Sequence, residues 1–224
     1  MPTVASKEAA TSQSNNLTEL LLRCGLVAGP LFLLTAIIQG LAREGFDLSH
    51  QPISFLSLGN LGWLQIVNFL LTGILALLFA AGVRQTLRGK AGGTFGPIGL
   101  IGLGFGLIIA GLFPPDPGFG YPIGTPDGPP TQTTYHSSMH GLGFMLSFLF
   151  FVMTTLVSVR IDARRKQWLS VGYTVVSAVA ALVLAMTPGT QGIALRDLAA
   201  AALLWTWVAV QAWRLTPRRQ GGVC

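Results

Sequence analysis

The 224-residue chain is 51% hydrophobic and only 10% charged, with a formal net charge of +6. A soluble domain carries about 25% charged residues, so composition excludes an ordinary water-soluble fold. The basic residues cluster at the ends of apolar blocks, with no basic stripe interleaved with aromatics, which excludes a nucleic-acid partner and points to anchoring on an anionic lipid leaflet.

Apolar blocks of about 18 or more residues read as membrane spans. They predict an all-α membrane protein, a six-transmembrane-helix bundle with N- and C-termini cytoplasmic. Residues 1–20 are polar, rich in Ser, Thr and Asn, and lack the early apolar core of a signal peptide. They are expected to form a disordered cytoplasmic tail, followed by a transmembrane domain over 21–214 and a basic cytoplasmic tail over 215–224. The first span is predicted over 24–42. In the polar segment 43–61, Ser49 is expected to cap a short helix that tolerates Pro52 in its first turn. The second span covers 62–83, where Asn68 is read as bonding to a neighbouring helix. The third, 93–113, carries Gly96, Gly99, Gly102, Gly104, Gly106 and Gly111. With no strand before them these glycines are no nucleotide motif, and they predict close packing between helices. A loop over 114–134 holds Pro114, Pro115, Pro117, Pro122, Pro126, Pro129 and Pro130, so turn chemistry should order it. Spans over 135–159, 168–187 and 193–213 complete the set.

Orientation follows from the cations. With six spans, Lys7, Arg23, Arg84, Arg88, Lys90, Arg160, Arg164, Arg165, Lys166, Arg214, Arg218 and Arg219 share one side, and only Arg43 and Arg196 lie on the other. Positively charged loops stay cytoplasmic. Cys24 and Cys224 would then both face the reducing side, which disfavours a structural disulfide. Trp63, Trp168 and Trp213 fall at span ends, where amphipathic rings settle.

On the outer side this topology gathers His50, His136 and His140, together with Ser54 and Asp116. His136 and His140 are four residues apart, which puts two imidazoles on one helical face, about 6 Å apart. Such a pair can chelate a metal, and His50 could complete a three-histidine zinc site with a reactive water. Asp116 could then act as a fourth ligand, an orienting partner or a general base, and Ser54 could support an oxyanion. Attack on an ester or amide of a lipid is the chemistry such a site offers. Two other readings stay open: histidines bonded to loop carbonyls in a structural role, and a small-ligand site without metal. Arg196 and Asp197, at the outer end of the last span, read as an ion pair or as anchors to headgroups. Arg196 could also hold an anionic headgroup as part of the site.

His50-Gln-Pro-Ile-Ser54, Gly62-Trp-Leu-Gln, Asn68-Phe69 with Gly73, Phe113-Pro-Pro-Asp116-Pro-Gly-Phe-Gly-Tyr-Pro and the pair His136, His140 resemble the multi-pass family catalogued as domain of unknown function 998. That resemblance runs from Leu22 to Trp213 and implies a six-span protein of a bacterial or archaeal plasma membrane, with no activity attached. More distantly, the set of one serine, one aspartate and three histidines is similar to the alkaline ceramidase and adiponectin-receptor membrane hydrolases. That likeness implies zinc on His50, His136 and His140, with Asp116 polarising the water and Ser54 assisting. The order of His50 and Ser54 is reversed here, and six spans stand in place of seven. The competing class is a non-catalytic sensor, ligand-binding or transporter-like protein. The expected partners are membrane lipids and a lipid-like or small-molecule ligand at the outer face.

Overall fold

Hydrocarbon offers the backbone no hydrogen-bond partners, so an apolar block satisfies its own peptide groups by becoming helical. The computed structural model describes residues 4–217. It contains α1 (Val4–Ala42), α2 (Trp63–Thr86), α3 (Phe95–Leu112), α4 (Tyr135–Arg164), α5 (Trp168–Met186) and α6 (Ile193–Leu215). All six are long and apolar enough to cross a membrane. The shortest, α3, has 18 residues and rises about 27 Å, close to the thickness of a bilayer core. The chain is therefore an all-α, multi-pass integral membrane protein, and among the described residues the only β feature is an isolated bridge between Gly118 and Tyr121.

The helix boundaries agree with those expected, with two differences. First, α1 begins at Val4, so the residues from there to 20 are helical where a disordered tail was expected. The basic Arg218 and Arg219 lie outside the described residues. Second, the short helix after α1 is a 3₁₀ turn, Ile53–Ser57, entered through Pro52 with no side-chain cap. Ser49 is not its cap, because its N–H and hydroxyl both donate to Asp47 Oδ1 at 2.7 Å.

Each helix packs on its neighbour in sequence, and α6 closes the ring against α1. Polarity is arranged as lipid demands, with Leu169, Leu41 and Val176 outward and Gln39, Gln65, Asn68, Thr72, Ser147 and Thr174 buried within. Asn68 Nδ2 donates to Phe32 O on α1 at 3.1 Å, as expected for a helix-to-helix bond. The glycines of α3 do serve close approach. A Cβ at Gly106 would stand 2.6 Å from Gly143 O, and one at Gly143 would stand 2.6 Å from Gly106 O. The α3–α4 crossing is thus backbone on backbone, and Gly73 meets Gly104 O on the α2 side in the same way.

The three connections α1–α2, α3–α4 and α5–α6 form one layer at one end of the bundle. Arg43 is its centre: NH1 donates to Leu58 O at 3.0 Å and to Tyr121 Oη at 3.2 Å, while NH2 donates to Gln39 Oε1 at 2.6 Å and to Leu61 O. Gln51 Nε2 donates to Phe119 O at 2.9 Å. Gly192, in the left-handed conformation at φ +64° where a glycine is unstrained, donates its N–H to Ser49 O.

Candidate functional site

The loop layer decides where each polar side chain lands. Thr134 caps α4 by accepting from Ser137 N, and Asp116 grips that cap. Its Oδ1 accepts from the Thr134 hydroxyl at 2.6 Å and its Oδ2 from Thr134 N at 2.8 Å. Slight burial raises the Asp116 pKa, but the hydrogen bonds from Thr134 and Ser137 and the nearby His136 outweigh it, so the carboxyl is held below its ordinary value. Asp116 therefore ties the proline-rich loop to the start of α4. His136 is exposed, with its ring 5.5 Å from that of Phe113, and His50 lies edge-on to Phe119 at 5.8 Å.

His140 differs from both. It is 9% exposed, and its Nδ1 lies 2.9 Å from Ala110 O in the last turn of α3 and 3.1 Å from the O of Phe113, the residue that follows that helix. A carbonyl only accepts, so Nδ1 carries the proton and, in the neutral ring, Nε2 is left as an acceptor. The ring stands edge-on to Phe69 at 6.1 Å.

His140 lines a cavity of about 90 Å³ together with Ser54, Ser147 and Asp197, between walls that include Phe32, Phe69, Phe148 and Trp205. Asp197 enters from the first turns of α6, and its Oδ2 accepts a long bond, 3.4 Å, from Ile53 N in the 3₁₀ turn. Two acceptors thus share an apolar chamber that a ligand with a donor head could enter.

Of the residues expected at the site, Ser54 and His140 meet in this cavity. His50, Asp116, His136 and Arg196 do not line it. Arg196 donates instead to Pro188 O at 3.4 Å and to Gly189 O, closing the α5–α6 turn. The zinc donor set is not gathered: among the described residues no three or more His, Cys, Asp or Glu side chains stand where they could hold a metal ion. Asp197 is the residue that sequence reading undervalued. It lies in helical phase with Ala201, Leu204, Trp205 and Val208, the stripe of α6 that faces inward, and that phase marks it as interior.

A family model, described as a protein of unknown function (DUF998), matches residues 26–214. The chain belongs to this family. The match takes in both residue runs that meet at the cavity, the 3₁₀ turn and the first turns of α4, and all of α6 but its last residue. No curated protein and no solved structure matches the chain.

Proposed function

We propose that this family member is a membrane-embedded binding protein for an amphipathic ligand whose polar head donates hydrogen bonds, such as an alcohol or amine. The supporting observation is the commitment of His140 Nδ1 to two backbone carbonyls, which leaves an imidazole acceptor in the same apolar cavity as the Asp197 carboxyl. Apolar walls with a few convergent polar groups are the usual make-up of a small-molecule site. The excess of cations at the other end supports an outward-facing orientation for this one, and in that orientation the ligand would arrive from the outer leaflet.

The test is a titration with a medium-chain alcohol and its methyl ether, read by emission from a variant retaining Trp205 as its sole indole. The alcohol should bind and the ether should not. His140→Ala and Asp197→Asn should each weaken the alcohol about tenfold or more, the range for a hydrogen bond to a buried acceptor. Equal binding of both compounds, or indifference to both variants, rejects the reading.

The zinc-dependent hydrolase of a lipid or lipid-linked substrate shares Ser54 and His140 with this reading, but it requires His50 and His136 to join them. Metal analysis of the same preparation separates the two. About one zinc per chain, lost when His136→Ala and His140→Ala are combined, would favour the hydrolase.

A further inference from the structure

The opposite end of the bundle holds a second and larger cavity, of about 150 Å³, among α2, α3, α4 and α6. Its inner walls are apolar and include Phe79, Leu100, Val157 and Trp207, and its polar lining includes Ser158, Asp162, Arg165, Gln211 and Arg214. The carboxyl of Asp162 is already committed: Arg214 NH1 donates to its Oδ2 and NH2 to its Oδ1, both at 3.0 Å. This ion pair cancels the only acidic side chain of the lining. Two donors remain. Gln211 Nε2 is buried with no hydrogen-bond partner. The Arg165 guanidinium makes no hydrogen bond or ion pair among the described residues, and Arg160, Arg164 and Lys166 lie in the same stretch, whose one acid, Asp162, is neutralised by Arg214.

A buried donor without an acceptor is costly, and a ligand acceptor removes the cost. Guanidinium groups favour phosphate, which can accept two of their N–H bonds at once. We infer that this cavity binds a phosphate-bearing ligand, with Arg165 pairing with the phosphate and Gln211 Nε2 donating to one of its oxygens. The site is separate from the His140 cavity and does not rest on the function proposed for it. The shared chemistry is the phosphate group, carried either by an anionic phospholipid or by a water-soluble phosphate compound.

The full chain in non-ionic detergent should be examined by native mass spectrometry with phosphatidylglycerol and with phosphatidylcholine, and titrated with inorganic phosphate. Variants are Arg165→Gln, Gln211→Leu and, as a control for bulk charge, Arg160→Gln, an exposed position outside the cavity. Gln211→Leu removes a buried unpaired donor, so the fold should persist. Retention of phosphatidylglycerol over phosphatidylcholine, reduced about tenfold by Arg165→Gln and by Gln211→Leu but not by Arg160→Gln, supports the site with a lipid source. Binding of inorganic phosphate with the same variant pattern, and no lipid preference, supports it with a soluble source. Equal losses in Arg165→Gln and Arg160→Gln with none in Gln211→Leu reduce the effect to bulk charge and overturn the proposal. Failure to bind either probe also overturns it.

Discussion

The pair Asp162–Arg214 joins the end of α4 to the end of α6, two helices that are not neighbours in the ring, and its removal gives a sharp test of how the bundle holds together. The Asp162 side chain is 5% exposed and that of Arg214 28%. Arg214 makes two bonds of 3.0 Å to the carboxylate and a third of 2.9 Å to Gln167 Oε1. Arg214→Met removes all three and leaves a carboxylate enclosed without a counter-charge. Each charge-assisted bond contributes about 1.5–3 kcal/mol, and breaking a buried pair from one side costs about 3–5 kcal/mol. We expect a loss of about 3–5 kcal/mol from Arg214→Met. Pairing it with Asp162→Leu should recover most of this, because two apolar groups leave no charge to desolvate. The assay is reversible unfolding of the purified protein in mixed micelles by increasing sodium dodecyl sulfate, with the four proteins arranged as a double-mutant cycle. A loss below about 1 kcal/mol for the single variant, the worth of an exposed pair, would refute the claim that the pair is desolvated. A double variant as unstable as the single would refute the claim that the stranded charge is what hurts.

The remaining predictions concern the α3–α4 crossing and the loop clamp. Gly143→Leu should destabilise the protein by about 3 kcal/mol, the upper range for overpacking, because its Cβ meets Gly106 O and Ala110 N at 2.6 Å. Gly141→Leu, two residues away on the same helix with nothing within 4 Å, should be near neutral in the same unfolding assay. For Asp116, the folded pKa lies below the unfolded value of about 3.9. Its contribution to stability is therefore complete above that unfolded value and is lost as pH falls through the folded one. Protease cleavage within 114–134 should rise below about pH 4 in the wild type. Asp116→Asn should show the raised cleavage already at neutral pH and little further change on acidification.

Much of the fold was legible in the sequence, because a membrane span is a contiguous stretch whose length is set by the bilayer and needs no knowledge of tertiary contacts. The start of α1 was not, since its polar residues lack the apolar pattern on which the reading rested. The site was only partly legible. The spacing of His136 and His140 correctly puts them on one helical face, but a face does not give depth. Four residues are one turn, about 6 Å along the axis, and over that distance α4 passes from the exposed loop layer into the core. The two histidines therefore have different neighbours and different uses. Asp197 carried the opposite lesson, because proximity to the span end suggested the interface while helical phase placed it inside.

The two cavities have a bearing on the transporter-like reading. Leu103 of α3 and Leu204 of α6 border the His140 cavity, while Leu100 and Trp207, each about one turn away on the same helix, border the arginine-rich one. Phe151 lines neither and is completely buried, with its ring edge-on to Trp207 at 5.6 Å. Close-packed side chains of this kind leave few voids large enough for water. A solute moving between the two levels along α4 and α6 would meet Phe151 and Trp207, and the indole is tethered by its N–H to Thr174 Oγ1 at 3.1 Å. The Trp207–Thr174 bond runs from α6 to α5, and the ring contact carries it on to α4, so the pair is braced by three helices. Such an arrangement suits two separate binding sites, one for each leaflet, better than a single route across the bilayer.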